Sequence, residues 1–172
     1  MPSPTFDAIA TVTVTGATAT NMEFTSIPAT FTDLLILSSV RFDISGDNGF
    51  YFQFNNDTGG NYARLYLSGD GSSTSSAAAT SQTRVPIGIG ARSTATASTF
   101  SNSSAYIPNY TGSNYKSVSV DAVNENNATS ADAMFWATIW NSSSAITSIK
   151  LFPSSGNIVQ YSTATLYGIK KN

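Results

Sequence analysis

The chain has 172 residues, a net charge of −2 and 41% hydrophobic residues, enough for one domain with a core of ordinary size. Only 10% of residues are charged, and neither Cys nor His is present. That excludes a disulfide framework, thiolate or imidazole metal sites, and catalysis by Cys or His, and no basic field gathers nucleic acid.

The N-terminal MPSPTFDAIATVTVTG has neither a basic start nor a long apolar run and does not read as a signal peptide. Pro2 and Pro4 predict a short extended arm over about residues 1–7, since proline stiffens the chain and removes donors. Beyond it the hydrophobic period is two, as in Thr11-Val12-Thr13-Val14-Thr15. Strands are predicted over 8–15, 21–27 and 33–42. The longest apolar core, Leu34 to Leu37, is far too short to insert in a membrane. Next, DISGDNG (Asp43 to Gly49) resembles a calcium loop but lacks the order of acidic positions and the closing Glu, so it reads as a turn. A cation would be sought near Asp43, Asp47 or Asp57.

YFQFNNDTGGNYARLYL, from Tyr51 to Leu67, predicts a hairpin of strands 50–55 and 61–67. Between them Asn, Asp and Gly tolerate positive φ and bond their own backbone, as turns require. Phe50, Phe52 and Phe54 share a face. Ala63, Leu65 and Leu67 share another and are expected to build core, which leaves Tyr62, Arg64 and Tyr66 as candidate interface or glycan-facing positions. Ser68–Gln82 and Ala91–Ala105 are low in large side chains and read as long exposed loops. Within the first, SSAAATS is too short and Ser-rich to hold a helix.

Strands over 83–89, 99–107, 115–123, 133–141, 145–152 and 158–169 follow. In Met134–Trp140 the even spacing puts Trp136 and Trp140 on one face, either core or an aromatic platform for sugars. Tyr106, Tyr110 and Tyr115 form a second aromatic group, of which Tyr106 and Tyr110 join the candidates. Asn56, Asn102, Asn109, Asn127 and Asn141 head N-x-S/T triplets, which a Ser/Thr-rich chain produces by chance. The carboxylates Asp43, Asp47, Asp57, Asp70, Asp121, Glu125 and Asp132 fall mostly in or beside loops and read as turn formers, so no enzyme and no cofactor is expected. With no domain boundary or repeat, residues 1–172 read as one all-β domain, a two-sheet antiparallel β-sandwich, jelly-roll-like.

Four blocks in order carry a resemblance: FTSIPATFTDLLILSSVR (Phe24 to Arg41), FQFNNDTGGNYARLYLSGDG (Phe52 to Gly71), AYIPNY (Ala105 to Tyr110) and SIKLFPSSGNIVQYSTATLYGIKKN (Ser148 to Asn172). Together they resemble the small β-rich virion structural proteins and tail-appendage domains of tailed bacteriophages. The resemblance implies a jelly-roll-like homotrimer on the virion surface, assembled in the bacterial host cytoplasm, and it carries over no catalytic residue. Tail-fibre versions follow a stalk or anchor, whereas this chain enters strand pattern within a few residues of Met1. The expectation is a head decoration (cement) protein whose partner is the major capsid protein. The alternative is a tail fibre or collar receptor-binding protein that recognises host surface glycans.

Overall fold

A computed structural model describes residues 5–46, 49–125 and 131–170. Asp47, Asn127 and the arm residues Met1–Pro4 lie outside the described residues. Alternating β-branched, aromatic and small polar residues form strands, and among the described residues there is no helix. The large sheet has eight strands in the order β1 (Phe6–Thr13), β14 (Thr163–Ile169), β4 (Asp33–Val40), β9 (Ser101–Ile107), β10 (Lys116–Glu125), β11 (Ala131–Trp140), β6 (Tyr62–Gly69) and β7 (Thr74–Gln82). The small sheet runs β3 (Met22–Phe24), β12 (Ile149–Pro153), β5 (Gly49–Phe54), β8 (Val85–Ile89). β2 (Thr18–Ala19) and β13 (Ile158–Val159) make a separate short pair. All these ladders are antiparallel. The two larger sheets pack as the expected β-sandwich, with unequal layers of eight and four strands. Phe6 and Asp7, expected in the arm, already belong to β1.

The core lies between the inner faces. Leu34, Ile36, Val118, Val120, Trp136 and Trp140 reach in from the large sheet, and Phe50, Phe52, Phe54, Ile149 and Leu151 from the small one. β14 lies between β1 and β4, so the alternating C-terminal segment is an interior strand. At Gly168 an added Cβ would collide with the Phe31 ring, which packs flat on the strand.

Three expectations are corrected. First, Tyr51–Leu67 is not a hairpin. β5 pairs with β12 and β8, and β6 with β11 and β7, so residues 55–61 form a corner that carries the chain from one sheet to the other. Asn55 and Asn56 adopt φ of 52° and 54° there. Both flanking strands carry large apolar side chains, which meet across the core instead of side by side. The Phe54 and Tyr62 rings lie 6.4 Å apart, and the Phe54 amide donates to Tyr62 Oη at 3.0 Å. Second, Ser68–Gln82 is a hairpin arm. Asp70 accepts from the amides and hydroxyls of Ser72 and Ser73, closing the β6–β7 turn. Third, the faces of β6 are reversed: Tyr62 is buried, while Leu65 and Leu67 are exposed.

Of the expected loop Ala91–Ala105, residues 91–100 form a loop that is held in place, whereas Ser101–Ala105 belong to β9, where Ser101, Ser103 and Ala105 are buried. The Arg41 guanidinium donates to the carbonyls of Ser93, Ala95, Thr96 and Thr99 at 2.9–3.2 Å.

Candidate functional site

The eight-stranded sheet is twice as wide as the sheet that covers it, and its outer face is left open. Register across the strands sets the side chains of that face in rows. One row runs Tyr167, Leu35, Tyr106, Ser119, Ala137, Leu65, Ala78. The next runs Thr165, Leu37, Ser104, Asp121, Phe135, Leu67, Ser76, and a third runs Thr163, Ser39, Asn102, Val123, Ala133, Gly69, Thr74. Leu65 is 48% exposed, Leu67 56% and Phe135 46%; Val123 is exposed beside them, and Leu37 and Tyr106 further along the same face. Small Ala, Ser, Thr and Gly residues fill the positions between, so the surface is flat with a few raised apolar side chains. A depression of about 700 Å³ opens among Leu67, Ser76, Val123, Ala133 and Phe135.

Several polar groups on this face are engaged. Asp121, the only charged side chain in the three rows, accepts from Ser104 Oγ. Tyr106 Oη donates to Asp33 Oδ2 at 2.8 Å, and Asp33 Oδ1 accepts from the Asn109 amide at 2.8 Å. The Asp33 hydrogen bond, with some desolvation, raises the Tyr106 phenol above its ordinary range. Its hydroxyl is thereby tied to β4 while the side chain stays partly exposed. A face with a single carboxylate, already hydrogen-bonded, and several exposed apolar side chains suits burial against another macromolecule, where desolvation of further charge would be costly.

The seven residues singled out in the sequence scatter between surface and interior. Tyr62, Tyr110, Trp136 and Trp140 are buried. Burial pushes the Tyr62 and Tyr110 phenols upward, and Tyr110 Oη donates to the Pro28 carbonyl. The two Trp residues therefore build core and form no open sugar platform. Tyr106 belongs to the outer face. Arg64 and Tyr66 are half-buried on the inner side of β6, where the large sheet overhangs the last strand of the small one. Together with one edge of Trp136, and with Tyr51, Pro86 and Asp132, they line a cleft of about 340 Å³. Leu37, Leu65, Leu67, Val123 and Phe135, the centre of the outer face, were not among the candidates. Their signal was alternation itself, which marks two faces without saying which one is covered.

The carboxylates near the suggested cation positions hold neighbouring side chains and backbone amides. Asp57 Oδ2 accepts from Trp140 Nε1 at 2.7 Å and Asn61 Nδ2 at 2.9 Å, and Oδ1 accepts from the Gly59 amide at 2.9 Å. Desolvation pushes its pKa up, but those donors outweigh it and hold the carboxyl below its ordinary range. Asp43 spends its two oxygens on the side chain and amide of Asn157, which likewise lower its pKa. Among the described residues, no three acidic side chains group in a way that could hold a metal ion. The buried Lys116 ammonium donates to the carbonyls of Gly112 and Asn114, and burial lowers its pKa.

No protein-family model, curated protein or solved structure matches the chain.

Proposed function

We propose that the chain is a bacteriophage virion structural protein, a capsid decoration or cement protein that seats the outer face of its large sheet on the major capsid protein shell and stabilises it. One observation carries the docking part of this reading. Of the nine large hydrophobic side chains exposed among the described residues, six lie on that one face. Scattered exposed apolar residues need no explanation, but six on one face, four of them grouped on β10, β11 and β6 at Val123, Phe135, Leu65 and Leu67, favour an interaction surface. The virion part rests on the four sequence blocks from Phe24 to Asn172.

A second reading has its own observation. The cleft at the overhang of the large sheet joins Arg64, Tyr66 and Tyr51 beside Asp132. Aromatic faces with flanking hydrogen-bonding groups are the equipment of a glycan site, as a tail fibre or collar receptor-binding protein would need.

Copy number per purified virion, by quantitative mass spectrometry against the major capsid protein, tests the choice. Near-stoichiometric amounts support decoration, and Leu67→Glu with Phe135→Glu is then expected to strip the protein from capsids. A few to a few dozen copies would move it to the tail or collar and shift attention to the cleft. Absence from virions would end both readings.

A further inference from the structure

Four strands form the edges of the two larger sheets, and three of them are guarded. β1 has a bulge between Ala8 and Ala10, and its Asp7 is ion-paired with Lys170. β3 is three residues long and carries Glu23, paired with Lys150 at 3.4 Å. β8 is five residues long and contains Pro86. Short length, charge, proline and bulges are the devices by which sheets keep other chains from adding to their edges. β7 has nine residues, TSSAAATSQ, with no charge and no proline. Its register is regular from Thr74 to Ala79, and its one irregularity lies beyond, where Ala79 and Gln82 face Arg64 and Tyr62.

The strand also buries almost nothing. Seven of its nine residues are exposed, on both faces, and none belongs to the core. Fixing a residue's backbone costs about 1–2 kcal/mol. Within one chain only the ladder to β6 is set against that cost.

We propose that β7 is an interface between two copies of this chain, paired antiparallel about a two-fold axis that passes beside Ala77 and perpendicular to the sheet. In that register Ala77 faces Ala77 of the second copy, Ser76 faces Ala78, and Ser75 faces Ala79. Every cross-strand pair is small and uncharged, so nothing clashes and no charge is buried. A foreign peptide would find no charge to read along this edge, whereas the strand's own residues complement one another. A perpendicular axis keeps both outer faces pointing the same way. The row through Leu65 and Ala78 and the row through Leu67 and Ser76 then run on into the second copy, giving one continuous sixteen-stranded face. This assembly stands independently of what the outer face binds.

Sedimentation of the full chain tests it. The wild type is expected at twice the 18.1 kDa chain mass. Ala77→Lys and Ala77→Glu each place like charges face to face and are expected to halve that mass, and an equimolar mixture of the two is expected to restore it. Ala77→Cys supplies a second readout that does not depend on charge. The chain has no cysteine of its own, and a short bis-maleimide is expected to join this variant into a covalent dimer. A monomeric wild type would overturn the proposal. So would a dimer, or the trimer implied by the family resemblance, whose mass survives Ala77→Lys.

Discussion

Asp57 holds the corner between the sheets, and its removal gives the sharpest test of how that corner works. Its carboxylate accepts from Trp140 Nε1, the Asn61 amide group and the Gly59 backbone. Trp140 is only 2% exposed, and its ring stacks on Tyr62 and packs against Phe54. In Asp57→Ala the indole N–H loses its acceptor while the ring stays in the core. Hydrogen bonds to a charged group contribute about 1.5–3 kcal/mol, and a buried donor left unpaired costs about 1–3 kcal/mol. These ranges overlap in what they count, so the expected loss is about 3 kcal/mol. In a chain of this size each kcal/mol moves the melting point by about 2–4 °C, hence a drop of about 6–12 °C. Asp57→Asn keeps an oxygen for Trp140 and loses the charge, with an expected cost of about 1 kcal/mol. Urea unfolding followed by Trp emission reads both, through a lower midpoint at unchanged slope. The folded pKa of Asp57 lies below its unfolded value. Its stabilisation is therefore complete above the unfolded pKa and lost as pH falls through the folded one. Asp57→Asn is accordingly expected to lose part of the acid slope. If Asp57→Ala unfolds within about 0.5 kcal/mol of wild type, the corner is held by ring packing alone and the carboxylate is incidental.

Arg41→Ala is expected to speed amide exchange across residues 93–99 and to cost about 2 kcal/mol. Arg41→Lys should exchange nearly as fast, because one ammonium cannot span acceptors that the guanidinium fork reaches together; protection unchanged from wild type would refute this. Truncation before Ser162 removes β14 from between β1 and β4, and the product is expected not to fold; a soluble chain with a cooperative melt would refute that. At Asp70 the amides of Ser73 and Ser72, then their hydroxyls, hold the carboxyl far below its ordinary range. The β6–β7 turn should therefore keep its exchange protection above the unfolded pKa and lose it as pH falls toward the folded one. Asp70→Asn should abolish that dependence, and an identical pH profile in the variant would count against it.

Much of the strand pattern was legible because alternation of Val, Phe and Leu with Ser and Thr survives in the burial of β4, β5, β10 and β11. Two things were not. β7 has no large apolar side chain and so no hydrophobic period, and what makes it a strand is the ladder to β6 and the Asp70 turn, both of which depend on folding. Pairing of strands adjacent in sequence was the other. Asn55–Gly60 has the composition of a hairpin turn, but a hairpin would set β5 beside β6 in one sheet. That would take Phe54 and Tyr62 off opposite walls of the core, where their rings now meet.

The reversal of β6 follows from the same packing and bears most on function. Period two states that Tyr62, Arg64 and Tyr66 oppose Ala63, Leu65 and Leu67, but hydropathy alone favours the leucines for the interior. What decides is shape and hydrogen bonding at one position. Tyr62 brings a large ring to stack on Trp140 and a hydroxyl to receive the Phe54 amide, and a leucine would leave that amide without its partner. Once Tyr62 is inward, a one-residue register commits Leu65 and Leu67 outward, beside Phe135 on β11 and Ala78 and Ser76 on β7. The core thus dictates the side on which these leucines emerge, but it does not require that they be leucines. Ser or Thr there would fold as well and would suit water better. Large apolar side chains at positions the fold leaves free are what the proposed docking surface would need. Leu65→Ser with Leu67→Ser should separate the two demands: melting within about 1 kcal/mol of wild type, since these side chains bury little, together with loss of attachment to the capsid partner proposed above. A variant that melts far lower would place the leucines in the protein's own stability and remove the chief support for the outer face as a docking surface.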